Sequence, residues 1–196
     1  MTAPAGRRER KKAATRQKIA DAALRLFRER GFDDVGIRDI AAEADVALTT
    51  LFLHFPSKEA MVFEQDQDFE QRLRQAVLGR APHEPFIPAL QREIHALVRH
   101  CTTDDAASIW HIIGESPTLQ KYDETMRLRH ADSLAAAIAA DPQLHRTTTA
   151  SRAIARFVID AYSLAREADD PQSTVDEVFR MITAAWEATE CSSTVR

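Results

Sequence analysis

Past a polar opening stretch, apolar side chains recur along the chain at the three-and-four spacing of a helix face. Ile19, Ala22, Ala23, Leu26 and Phe27 form the first stripe, and Gly31 stands where a left-handed residue ends a helix. Two short groups follow: Ile37, Ile40, Ala41 and Ala44, then Leu51, Phe52 and Phe55, with Asp45, Val46 and Ala47 between them. So small a gap predicts a tight turn. Two short helices across such a turn make a helix-turn-helix, whose second member is shaped for a major groove.

Pro56 stops that helix, and Ser57 is a natural cap for the next. A long fourth helix is predicted to about Leu78 on the stripe Met61, Val62, Phe69, Leu73 and Val77. Residues 79–88, with Pro82, Pro85 and Pro88, read as a loop. Leu90, Ile94, Leu97, Val98 and Cys101 mark a fifth helix; Ile109, Ile112 and Ile113 mark a sixth that Gly114 ends. Ser116 and Pro117 open a seventh, carrying Leu119, Tyr122, Met126, Leu134 and Ile138 as far as Asp141-Pro142. The eighth holds Ile154, Phe157, Val158, Ala161, Tyr162 and Ala165. In the ninth, Thr174 and Glu177 form a capping-box pattern ahead of Val175, Val178, Phe179, Ile182 and Trp186. Nine helices and no strand predict an all-α fold, without internal repeats.

Composition agrees with that reading. Only 5 Gly and 8 Pro among 196 residues disfavour turn-rich β architectures, and 44% hydrophobic with 29% charged residues suits a packed globular chain. No apolar run approaches the roughly 18 residues of a membrane span. Asp21, Arg25 and Arg28 interrupt the apolar positions after the basic start, so no signal-peptide core is present, and a cytoplasmic protein is expected. Cys101 and Cys191 show no ligand spacing. His95 and His100 are five apart, which spreads them around a helix, so neither a metal nor another cofactor is expected. GxSxG, HExxH, GxGxxG and GxxxxGK are all absent, which argues against an enzyme. Charge is unevenly placed: ten basic against three acidic side chains through Arg30 give +7, so the remainder carries −11. Such a front end faces a polyanion or forms a solvated tail, and charge alone does not choose.

Residues 37–59, IRDIAAEADVALTTLFLHFPSKE, resemble the DNA-binding signature of the TetR family of transcriptional regulators. The resemblance implies a flexible basic arm over 1–14, a helix-turn-helix DNA-binding domain over 15–60, and a helical ligand-binding and dimerisation domain over 61–196. Thr50, His54 and Lys58 match positions at which such regulators hold DNA phosphates. Lys58 also precedes a helix start, where free N–H groups favour an anion. Phe52 stands at a DNA-facing position where the family usually has tyrosine, so the hydroxyl contact to phosphate is lost. Ala47 replaces the usual capping serine, a loss of roughly 0.5–2 kcal/mol. Asp45 replaces the usual turn glycine, and aspartate is among the few residues that tolerate a left-handed backbone.

The recognition helix, Leu48 to His54, contains no Arg, Lys, Asn or Gln, the side chains that make bidentate contacts to purine edges. Base reading therefore falls to the Thr49 hydroxyl, to apolar contact of Leu48 or Thr49 with thymine methyls, and to Arg38 of the preceding helix. A large phosphate share and a steep salt dependence follow. The family likeness further implies a homodimer, with Tyr162, Phe179 and Trp186 of the last two helices as interface candidates. It also implies a cavity for an unidentified small-molecule effector; Phe69, Ile94, Trp110, His111, Ile113, Tyr122, Met126 and Phe157 are candidate lining residues. The expected function is that of a repressor holding a palindromic double-stranded operator until a hydrophobic or amphipathic ligand releases it. The competing reading is a helical module that binds DNA without choosing a site, or binds protein, and has no inducer.

Overall fold

The computed structural model describes residues 6–63, 66–81, 83–101, 104–144 and 146–191. All regular structure among them is helical: α1 (Arg7–Arg30), α2 (Ile37–Glu43), α3 (Leu48–His54), α4 (Glu59–Val62), α5 (Asp66–Leu78), α6 (Phe86–Cys101), α7 (Asp104–Glu115), α8 (Pro117–Ala140), α9 (Thr148–Glu167) and α10 (Pro171–Cys191). The expected nine helices are ten because the stretch predicted as one fourth helix forms both α4 and α5. Part of the expected flexible arm is also helical, since α1 already begins at Arg7. Pro88 lies in the first turn of α6, where its missing N–H costs no helical bond, so the loop predicted through residue 88 ends before Phe86. Gly114 sits within α7 rather than ending it. The Cys101 and Cys191 side chains lie outside the described residues.

Local capping explains several of the boundaries. Gly31 closes α1 with φ 81°. The Ser57 hydroxyl accepts the Ala60 N–H at 3.3 Å, and the Ser116 hydroxyl accepts that of Leu119 at 3.4 Å just ahead of Pro117. The last helix starts earlier than the Thr174 capping box predicts. Its cap is Asp170, whose carboxylate accepts the Ser173 N–H at 3.1 Å, with Pro171 in the first helical position.

The chain forms two compact units: one of residues Met1–Gln65 and Ser108–Tyr122, the other of Asp66–Ala107 and Asp123–Arg196. The first holds a core of Ile19, Phe27, Ile40, Leu51, Phe55 and Met61, joined by Ile112, Ile113 and Leu119. The 108–122 segment, placed by sequence in the second domain, thus packs with the first. In the second unit α9 lies along α10, and α6 packs against both and against α5. Ile154, Val158, Ala161 and Ala165 of α9 and Val175, Phe179, Ile182 and Trp186 of α10 repeat the same spacing, and all eight are buried. Each large side chain among them contributes roughly 1.5–3 kcal/mol of burial. The Arg80–Asp141 pair, 6% exposed on each side, ties the end of α5 to the end of α8. Burial alone would raise the Asp141 carboxyl, but hydrogen bonds from Arg80 and the Gln143 N–H hold it below the usual range.

Candidate nucleic-acid interface

Backbone geometry at the α2–α3 turn follows from residues 44–47. Asp45 takes φ 47°, the left-handed conformation expected of it. Its N–H donates to Ala42 O at 3.0 Å and that of Val46 to Ala41 O at 2.9 Å, the crossed pair that closes a helix end around a left-handed residue. Ala47 then opens α3 in extended conformation, with no side-chain cap. At the start of α2 the Asp39 carboxylate accepts the Gly36 N–H at 3.0 Å and pairs with Arg30 at 3.2 Å. The backbone bond, aided by Arg30, holds that carboxyl below its ordinary range.

Two cations fix this assembly to α1 and the segment after it. An Arg16 guanidinium nitrogen donates to the His54 carbonyl at the end of α3, and its planar head lies 4.0 Å from the centre of the buried Phe55 ring. Lys58 Nζ donates to Phe32 O at 2.8 Å and Val35 O at 3.0 Å, over the Phe32 ring. The ammonium expected to hold a phosphate thus gives two of its three N–H groups to backbone carbonyls. The helix it precedes, α4, has only four residues.

Of α3's side chains Leu51 alone is fully buried. Leu48, Thr49, Phe52 and Leu53 are exposed; Thr50 and His54 are half-buried. Burial, and then the positive charges of Lys12 and Arg16, push the His54 imidazole below its ordinary 6.5, so it is neutral at neutral pH. Lys12 is the last of five exposed cations at positions 7, 8, 10, 11 and 12 of α1, and Arg38 is exposed on α2. The structure thus brings Leu48, Thr49 and Phe52 onto open surface beside Thr50 and His54. Arg16 and Leu53 were not singled out from sequence. Arg16 had a signal, since it lies one turn ahead of Ile19 and Ala20 on the apolar face of α1.

The eight ligand candidates divide between the units. Ile113 lies in the first unit's core and Trp110 packs against it. Tyr122 stacks on Phe63 at 5.2 Å, and His111 is exposed near Glu115. In the second unit Ile94 and Met126 are buried, while Phe157 is 48% exposed. Phe69 lies between the rings of His130 and Tyr162, 4.8 Å from each, and nearby Asp123 pairs with Arg166 at 3.3 Å and Arg127 at 3.6 Å. Of the interface candidates, Phe179 and Trp186 belong to the second unit's own core, and Tyr162 packs partly against it. The large apolar side chains exposed on α9 and α10, among the described residues, are Phe157, Leu164 and Met181. Among the described residues no group of three His, Cys, Asp or Glu is placed to hold a metal ion, and no helix is long and apolar enough to cross a membrane.

Residues 19–64 match the family model of the bacterial regulatory proteins of the tetR family. Over 123 residues the chain is 33% identical to the candidate mycofactocin biosynthesis transcriptional regulator MftR of Mycobacterium tuberculosis, a match covering 60% of each chain. It is 27% identical over 152 residues to the HTH-type transcriptional repressor KstR of Mycolicibacterium smegmatis, covering 75% of this chain and 72% of that one. Its fold matches that of SmeT from Stenotrophomonas maltophilia in complex with triclosan, with TM-score 0.60 and 19% identity, over 88% of this chain and 91% of that one.

Proposed function

The chain belongs to the tetR family of bacterial regulatory proteins, and from that premise we propose a homodimeric transcriptional repressor that acts in the cytoplasm. Its α3 reads a palindromic operator, and its second unit takes a hydrophobic or amphipathic small molecule that releases the DNA. One observation carries the DNA half: a helix-turn-helix whose second member turns four of its seven side chains to solvent, beside the cation-rich start of α1. A helix so exposed stabilises its own fold little, and phosphate attraction with groove contact explains both features together.

Support for the dimer comes from Phe157 and Leu164, seven residues apart on α9, and from Met181 on α10, all exposed although the inner faces of these helices are filled. Glutamate at both Leu164 and Met181 should give monomers by light scattering; an unchanged dimer would move the interface elsewhere. Support for the ligand comes from the grouped rings of Phe69, His130 and Tyr162, with Arg166 5.8 Å from the Tyr162 ring centre and paired to Asp123, an aromatic cluster with polar groups beside it. SmeT, of the same fold, forms a complex with triclosan. The chain passes between the units at 65–66, 107–108 and 122–123, the last inside α8, and ligand in the second unit shifts a two-state equilibrium through these crossings.

The test is fluorescence anisotropy of the full chain with DNA from its own upstream region beside a scrambled duplex, at two salt concentrations. Preference that survives higher salt supports the operator reading. Equal binding, lost together as salt rises, would favour a module that attaches to DNA without choosing a site.

A further inference from the structure

We infer that α3 selects DNA by the C5-methyl groups of thymine, through Leu48, Phe52 and Leu53, rather than by hydrogen bonds to base edges. The inference rests on the DNA-binding reading above and supplies the base chemistry that reading leaves open. Leu48, Phe52 and Leu53 are 37%, 50% and 76% exposed, whereas their neighbour Leu51 is at 0%. Leu48 and Phe52 are four residues apart and stack one turn above the other on the open face; Leu53 adjoins them. Three large apolar side chains on a seven-residue helix form a patch whose exposed part the fold itself does not cover.

The polar members of α3 do not supply an alternative code. Thr49 is exposed but offers a single hydroxyl, Thr50 is half-buried, and the half-buried His54 imidazole is held neutral by burial and its cationic neighbours. No Arg, Lys, Asn or Gln stands on α3, and the apolar feature of the major groove is the thymine methyl. The charge around the patch identifies the occupant. Lys12 acts electrostatically on His54 at the end of α3, four more cations precede it on α1, and Arg38 is exposed on α2. An apolar patch on a helix whose end lies in the field of Lys12 and Arg16 fits a polyanion whose groove carries methyl groups.

The experiment selects duplexes from a random pool with the full-length chain, then remakes the enriched duplex with deoxyuridine for every thymidine. That change removes the methyl groups and keeps base pairing. Affinity should fall about tenfold or more, since each buried methyl is worth about a factor of four, while an unselected duplex so altered binds as before. Phe52→Ala and Leu53→Ala should each shrink the thymidine-to-deoxyuridine ratio and leave the salt slope unchanged. An enriched duplex that lacks thymine, or that binds equally well with deoxyuridine, overturns methyl readout and leaves the DNA-binding reading standing. A pool with no enriched sequence overturns both methyl readout and the operator reading.

Discussion

In α10 the side chains of Val175, Phe179, Ile182 and Trp186 are all buried, whereas in α3, with four large apolar residues among seven, only Leu51 is. Helix α10 runs 21 residues and has α9 and α6 along it. Helix α3 is about 10 Å long and is pinned at its end by Arg16. A short helix held by one side chain and a backbone cap can turn apolar groups outward without losing its place. The two helices show that apolar content marks a helix, while its neighbours decide whether that content becomes core or contact surface.

Four changes would break or sharpen this contrast. The largest effect should come from Phe179→Ala, which opens a cavity in the second unit and should cost about 3–5 kcal/mol in urea unfolding; a loss below 1 kcal/mol would mean that α10 is not core. Next is Lys58→Ala. It leaves the Val35 carbonyl without the Lys58 donor and the Phe32 carbonyl with the Val35 N–H at 3.4 Å, and should cost about 1–3 kcal/mol. The slope of DNA affinity against salt should stay as it was, because this ammonium is engaged within the protein; a flatter slope would return Lys58 to the phosphates.

A smaller effect concerns pH. The free protein holds the His54 imidazole below 6.5, and a DNA phosphate beside it would raise that value, so binding takes up a proton. Affinity should therefore rise as pH falls toward the lowered His54 value, below 6.5, and His54→Gln should remove that rise; a variant that keeps it would place the proton elsewhere. The smallest effect on stability should be that of Phe52→Ala, within about 0.5 kcal/mol by thermal unfolding. A larger loss would show that Phe52 supports the fold and is not held ready for a partner.

Much of this architecture was legible in the chain. The stripes of α1, α6, α9 and α10, the left-handed Asp45 and the Ser116-Pro117 start of α8 depend on residues close in sequence, and such features declare themselves locally. What could not be read depends on distant neighbours. Lys58 lies 26 residues from Phe32, so nothing near it in sequence shows where its ammonium goes. Phe179 and Trp186 look the same whether they face their own core or a partner subunit, and only the packing of α6, α9 and α10 separates the cases. The 108–122 segment carries an ordinary apolar stripe that does not say which unit it joins.

The central claim is that the outward face of α3 chooses the sequence while the cations of α1 hold DNA of any sequence. It is tested most directly by the affinity ratio between a selected and a scrambled duplex in two variants of the full chain. One carries alanine at Leu48, Phe52 and Leu53; the other carries glutamine at Arg10, Lys11 and Lys12. The first should lose the ratio and keep the salt slope, whereas the second should keep the ratio and lose part of the slope. The reverse pattern, with the ratio surviving removal of the apolar face, would contradict the account.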